Sequence, residues 1–274
     1  MRLAAGGRAL AVSQEVAGLA LAIDATDEVA AAWYERFGAL RLFDEPLTLV
    51  LPLDTVGAGL KLKKYGLPKV TNSIMLIVIE GCVGAGKSTV AEGLAAYRGS
   101  KALLENFEAN PFLRSFYKDP IEHATETEFA FLLLHFHQLK NHAVASTESE
   151  VIADFHLGKD LIYADLNLKD ERVKGLFAQM YELCADETPK PALMIFLSAT
   201  TDLLIRRIQT RNREFEVDVN PEYYTSVNHA YEQYFEQYVG RKLRLSMETW
   251  DFVKEPALYQ TLALLIDGEL LPRE

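Results

Sequence analysis

Cysteine is scarce: the 274 residues contain two, Cys82 and Cys184. Two cysteines cannot build a disulfide framework, and Cys82 falls inside a glycine-rich loop, so no structural bridge is expected and a reducing compartment is. A basic surplus is also lacking. The chain has 28 Lys and Arg against 39 Asp and Glu, a net charge of −11, and a pI near 5.1. That argues against binding a nucleic-acid polymer, while leaving room for a small nucleotide in a local basic pocket. No apolar run reaches the length of a membrane span. The opening MRLAAGGRALAV is positive and small-residue rich, but no cleavage site follows, so it does not read as a signal peptide. The six histidines show no metal-ligand spacing; His135 and His137, two apart, fall on different helix faces. A cytoplasmic protein without membrane contact is expected.

What is present begins with MLIVIEGCVGAGKSTVAEGL, Met75 to Leu94. The run to Ile79 has the apolar continuity of a strand buried on both faces. Gly81 to Ser88 then fits G-x-x-x-x-G-K-[ST], with Gly81, Gly86, Lys87 and Ser88 at the fixed positions. Val90, Leu94 and Tyr97 follow at helical spacing. Strand, loop and helix are the setting in which this motif cradles phosphates. Gly81, Gly84, Ala85 and Gly86 let backbone N–H groups turn inward, and the helix N-terminus favours negative charge. Lys87 is expected on the β- and γ-phosphates, Ser88 on Mg²⁺, and Thr89 beside them.

More than seventy residues precede this loop, and their charge differs. Residues 1–72 hold eight basic and eight acidic residues, which leaves 28 − 8 = 20 basic and 39 − 8 = 31 acidic for the rest. The whole net charge therefore lies beyond residue 72. VGAGLKLKKYGLPKVTNS reads as a linker over 56–73, before a catalytic domain over 74–274. Further strand-like runs at 151–154 and 194–198 alternate with helical segments, which argues an α/β domain with a parallel sheet flanked by helices. Residues 127–140, TEFAFLLLHFHQLK, are apolar almost all round, as in a helix buried in the domain or against another subunit.

Residues 1–55 contain DEVAAAWYERFGALRLFDEPLTLVLPL, which resembles the C-terminal part of a GNAT-type acetyltransferase: a helix ending at 32–38, then a strand near 47–53. The resemblance implies a small α/β fragment, with Tyr34 at the position of that family's general acid. Its acetyl-CoA loop is missing, AAGGRAL being at most a remnant, so no acetyltransferase activity is expected. An amphipathic helix and a strand that merely cover a surface would read the same way.

From Met75 to Gly268 the chain resembles deoxynucleoside kinases, especially the bacterial deoxyadenosine and deoxyguanosine kinase branch. The resemblance is carried by GCVGAGKST, LLENFEANPFLRSFYKDP, VIADFHLGKDLIYADLNL, RRIQTRNREFE and WDF. It implies a P-loop kinase fold, ATP and Mg²⁺ as cofactors, a deoxynucleoside substrate that leans to purines, and a homodimer. Glu105 matches the general base for the sugar 5′-hydroxyl, and Asp154 the acidic residue near Mg²⁺, although a strand-end Asp can equally cap a helix. Arg207, Arg211 and Arg213 match the lid that closes on phosphates; a cluster of arginines in an acidic domain suits a polyphosphate. Tyr117 and Glu216 match the pair on the 3′-hydroxyl, and Asp251 and Phe252 the loop against the donor's adenine.

Three positions depart from that pattern. Glu128 stands where the family often has Gln facing the base, and Phe155 where it often has Arg after the strand-end acid. His135 stands where some members have a base-contacting Arg, while Asp160 matches their base-contacting Asp. An ionised Glu128 would favour guanine, which offers two adjacent donors. Two rivals stay open: a thymidylate kinase, for which an Asp-Arg pair is expected where Asp154 is followed by Phe155, and a non-catalytic nucleotide switch whose N-terminal piece recruits a partner.

Overall fold

A computed structural model describes residues 20–25, 27–35, 39–41, 47–52, 75–145, 149–213 and 220–271. The expected linker over 56–73, AAGGRAL and Glu216 lie outside these residues. The chain divides into two compact units, Met1–Thr71 and Asn72–Glu274.

The first unit holds β1 (Ala20–Asp24), α1 (Glu28–Glu35), β2 (Leu40–Arg41) and β3 (Thr48–Pro52). The strands pair antiparallel in the order β1-β3-β2. Of the helix expected to end at 32–38 and the strand expected near 47–53, residues 36–38 and 53 lie outside the described residues; β1 carries no signal in the sequence pattern. Asp27 opens α1 by accepting from Ala30 N at 2.8 Å. Arg41 of β2 reaches back to the helix, donating to Glu35 at 2.8 Å and Glu28 at 2.6 Å. Tyr34 is buried.

The second unit is a five-stranded parallel sheet in the order β5-β6-β4-β7-β8. Its strands are β4 (Met75–Glu80), β5 (Lys101–Leu103), β6 (Glu150–Ala153), β7 (Leu193–Ser198) and β8 (Lys242–Ser246). The central β4 and β7 are buried except at one end, because helices cover both faces. Those helices are α2 (Lys87–Arg98), α3 (Leu113–Lys118), α4 (Pro120–Ala145), α5 (Gly158–Asn167), α6 (Glu171–Asp186), α7 (Thr201–Arg211), α8 (Pro221–Gln237) and α9 (Leu258–Leu270).

The apolar stretch 127–140 lies inside the 26-residue α4. Leu132, Leu133, Phe136 and Leu139 are covered within the chain itself. Tyr97 is a correction to the expected apolar stripe of α2: Val90 and Leu94 are buried, but Tyr97 is 51% exposed. The stripe ends there because Gly99, in the left-handed conformation, closes the helix two residues later. No helix among the described residues is long and apolar enough to cross a membrane. Parallel strands place their C-terminal ends on one edge, so the loop after β4, Glu105 after β5 and Asp154 after β6 meet there.

Candidate active site

One cavity of about 620 Å³ opens at that edge. Val83, Gly84, Gly86, Lys87, Ser88 and Thr89 line one end of it. Gly84 (φ 86°) and Gly86 (φ 98°) take backbone conformations that side chains resist. At Gly84 a Cβ would also lie 2.9 Å from the Leu204 carbonyl oxygen. Gly81 and Ala85 are buried within the loop and do not line the cavity. Lys87 Nζ donates to the carbonyls of Gly81 at 2.8 Å and Cys82 at 3.2 Å. Burial lowers its pKa, and the charge of Lys159 adds to that.

Ser88 Oγ donates to Asp154 Oδ2 at 2.5 Å, and the Glu105 N–H donates to Asp154 Oδ1 at 2.7 Å. Asp154 therefore joins the phosphate loop to the segment after β5 instead of capping a helix. Two hard oxygens beside a phosphate cradle fit Mg²⁺, which keeps most of its ligands from water and phosphate. Among the described residues no group of three or more His, Cys, Asp or Glu is placed to hold a metal.

The other end of the cavity is built around Glu105. Its backbone is held from α4, where Gln138 donates to the Leu104 carbonyl at 3.0 Å and accepts from Asn106 N at 3.2 Å. Its carboxylate is held by two cations. Lys159 Nζ donates to Oε2 at 2.6 Å, and His135 Nε2 lies 3.0 Å from Oε1. The other imidazole nitrogen, Nδ1, lies 2.8 and 3.0 Å from the two Asp160 oxygens. His135 lies between the rings of Phe131, at 5.5 Å, and Phe155, at 5.0 Å. Burial acts to discharge His135, but Asp160 and Glu105 outweigh it and push its pKa up to about 9, so it is a cation at neutral pH. Burial likewise acts to raise Glu105, but Lys159 and His135 hold it well below the usual carboxylate range.

Lys159 is the residue that sequence reasoning missed. Phe155, where the resemblance leads one to expect an arginine, packs behind His135, and a cation arrives four residues further on. The signal was a Lys-Asp pair in the first turn of a helix whose next residues are apolar; such a pair is seldom buried without a partner. Asn167, Tyr163 and Tyr223, which also line the cavity, carried no signal of their own.

Glu128, 2% exposed, lines the cavity beside this cluster. Asn167 Nδ2 donates to its Oε1 at 2.7 Å. Burial pushes its carboxyl up to about 8, with the Asp160 charge adding to the effect. Burial thus favours the neutral acid at this position, whereas the guanine preference expected above rests on an ionised Glu128.

Arg207, Arg211 and Arg213 line the cavity from α7 and its end; Arg206 does not. Arg207 donates to the Ala85 carbonyl at 2.9 Å, across the phosphate loop. Helix α7 stops at Asn212 (φ 51°), and the Arg213 guanidinium sits 4.1 Å from the Phe107 ring centre. Tyr117, Asp251 and Phe252 also line the cavity, with Phe252 packed 4.8 Å from the Tyr259 ring.

The family description "Deoxynucleoside kinase" matches residues 77–268. A deoxyguanosine kinase of Bacillus subtilis is 31% identical over 182 residues, 66% of this chain and 87% of that enzyme. A deoxyadenosine kinase of Lactobacillus acidophilus is 28% identical over 214 residues, 72% of this chain and 97% of that enzyme. Among solved structures, a deoxyadenosine kinase from M. mycoides with the products dCMP and a flexible dCDP superposes with a TM-score of 0.62 at 26% identity. That match covers 71% of this chain and 100% of the other.

Proposed function

We propose, from the premise that this chain belongs to the deoxynucleoside kinase family, that it moves the γ-phosphoryl group of ATP to a deoxynucleoside 5′-hydroxyl. The product is the 5′-monophosphate, and the substrate leans to purines. The observation that carries this reading is one cavity with a phosphate loop at one end and a carboxylate clamped by two cations at the other.

Phosphoryl transfer asks for positioning and charge neutralisation more than for covalent chemistry. The loop amides and Lys87 hold the donor phosphates. Arg207, Arg211 and Arg213 neutralise charge on the transferred group and leaving oxygens. Ser88 and Asp154 would hold Mg²⁺, which would supply further charge neutralisation when bound. Glu105 orients the 5′-hydroxyl and takes its proton as the O–P bond forms and the bond from the γ-phosphorus to the departing ADP breaks. Tyr117 contacts the deoxyribose, and Glu128, His135 and Asp160 face the base. Glu216, expected beside the 3′-hydroxyl, lies outside the described residues. Asp251 and Phe252 flank the donor's adenine. The assembly proposed with this reading is a homodimer, which light scattering reads directly.

The test is a transfer assay with the four deoxynucleosides and dTMP. Phosphorylation of a deoxynucleoside is expected; phosphorylation of dTMP alone would make the chain a monophosphate kinase, and no transfer would leave a nucleotide-binding switch.

Two further outcomes are expected. Lys159→Met removes the closer cation from Glu105, so turnover falls and the acid limb of the pH–kcat/KM profile rises by about one to three pH units. Lys159→Arg restores most of the profile, and an unmoved limb in Lys159→Met would show that Lys159 does not set the state of Glu105. Removing residues 1–72 is expected to leave transfer and solubility within about twofold, in the range of changes that touch no core. The unit boundary at Thr71 and a family match that starts at residue 77 motivate this. Aggregation of the shortened protein would show that the first segment completes the second unit.

A further inference from the structure

Three carboxyl groups, Glu105, Glu128 and Asp160, share the acceptor end of the cavity with two cations, Lys159 and His135. Both cations are committed. Lys159 holds one oxygen of Glu105, and His135 spans the other oxygen and Asp160. The charges of those four groups cancel, and Glu128 is the third carboxyl. Among the described residues it makes no ion pair; its partner is the neutral amide of Asn167. A buried carboxylate without a cation, near the negative Asp160, is far costlier than the neutral acid.

We propose that Glu128 works as a neutral carboxylic acid and that its proton sets how many bases the pocket accepts. This rests on the reading above, in which Glu128 faces the base. The Asn167 amide occupies one lone pair of Oε1, which leaves the other lone pair as an acceptor and the Oε2 hydroxyl as a donor. A donor beside an acceptor pairs twice with adenine at N1 and the N6 amine, and with cytosine at N3 and the N4 amine. It also pairs twice with guanine at O6 and N1–H, and with thymine at O4 and N3–H. Once ionised, Glu128 offers acceptors alone. Guanine, with N1–H beside its N2 amine, is then the one base that still pairs twice. As regards pairing to Glu128 alone, the protonated group is tolerant, and the ionised group selects guanine.

The groups around Glu128 support this from each packed element. Lys159 and Asp160 come from α5, His135 from α4 itself, and Tyr223 from α8. Tyr117 of α3 lines the same cavity. On α6, Tyr181 and Cys184 feel the Asp160 charge, and both are held up at about 12, so neither brings a charge. Burial and Asp160 place the Glu128 titration at about 8, against Lys159 and His135, which favour its ionised form. Below that pH the proton is on; above it the proton is lost.

The experiment measures kcat/KM of the full chain for the four deoxynucleosides from about pH 6 to about pH 9, in wild type and Glu128→Gln. In wild type the deoxyguanosine-to-deoxyadenosine ratio is expected to stay level and then climb, about tenfold by one pH unit past the titration, while thymidine declines. In Glu128→Gln, which fixes the donor–acceptor pair, the ratio stays level throughout and corrects for titration of the bases themselves. A level wild-type ratio across the range overturns the proposal. So does a ranking in Glu128→Gln identical to wild type at every pH, which would mean that Glu128 does not face the base. If the variant fails to fold, the wild-type profile alone still decides. No transfer to any deoxynucleoside would overturn the kinase reading itself, an outcome distinct from transfer with an unchanging ratio.

Discussion

Lys87→Ala is expected to lower kcat by about 10²–10³-fold or more, in a protein that folds as before. Lys87 opens α2, and its ammonium reaches back over the loop to the carbonyls of Gly81 and Cys82. Those carbonyls hold the cation at the loop end of the cavity, where the proposed donor phosphates would lie. During transfer, negative charge shifts toward the leaving oxygen, and a fixed ammonium in a sheltered cavity stabilises that charge far better than water does. Alanine is a good helix former and loses no core packing, so circular dichroism and the unfolding midpoint should scarcely move. The burial that lowers the Lys87 pKa also means that its removal relieves a desolvation cost. Near-normal turnover in a folded Lys87→Ala protein would rule out the phosphate-loop role.

The second large effect concerns Glu105→Gln, expected to reduce turnover by about 10²–10⁴-fold with KM changed only a few-fold. Gln keeps the shape and can still accept a hydrogen bond from Lys159, but it cannot take the proton of the 5′-hydroxyl. Lys159 and His135 hold the native carboxylate ionised well below neutral pH. The native profile should therefore show no acid limb from Glu105 in the neutral range. Its proton affinity is low in the resting site, which suits a transition state in which the hydroxyl proton moves late. The substitution leaves the buried Lys159 without an anion at 2.6 Å, so a lower unfolding midpoint is also expected. Unchanged turnover together with an unchanged pH profile would show that Glu105 is not the base.

The two predictions draw on different levels. Lys87 is legible in a few consecutive residues, because a phosphate cradle is a local structure: a turn, its glycines and the helix that follows. Glu105, Asp154 and the arginines became legible only through several ordered motifs, since each alone is one charged residue among many. Their convergence is tertiary. Residues separated by 49 positions, Glu105 and Asp154, touch because β5 and β6 are neighbours in a parallel sheet.

The sequence by itself determined the α/β alternation, the phosphate loop, the change of character near residue 72 and the family resemblance. These rest on periodicity, composition and contiguous motifs, which survive in one dimension. Only the tertiary structure decided the charge states. That Lys159 reaches Glu105 depends on how α5 enters the cavity beside β5. Whether Glu128 is charged depends on the number of cations within reach and on which carboxyls already hold them. Desolvation and Coulomb energy act through space, and a sequence records neither the distance from water nor the distance between charges.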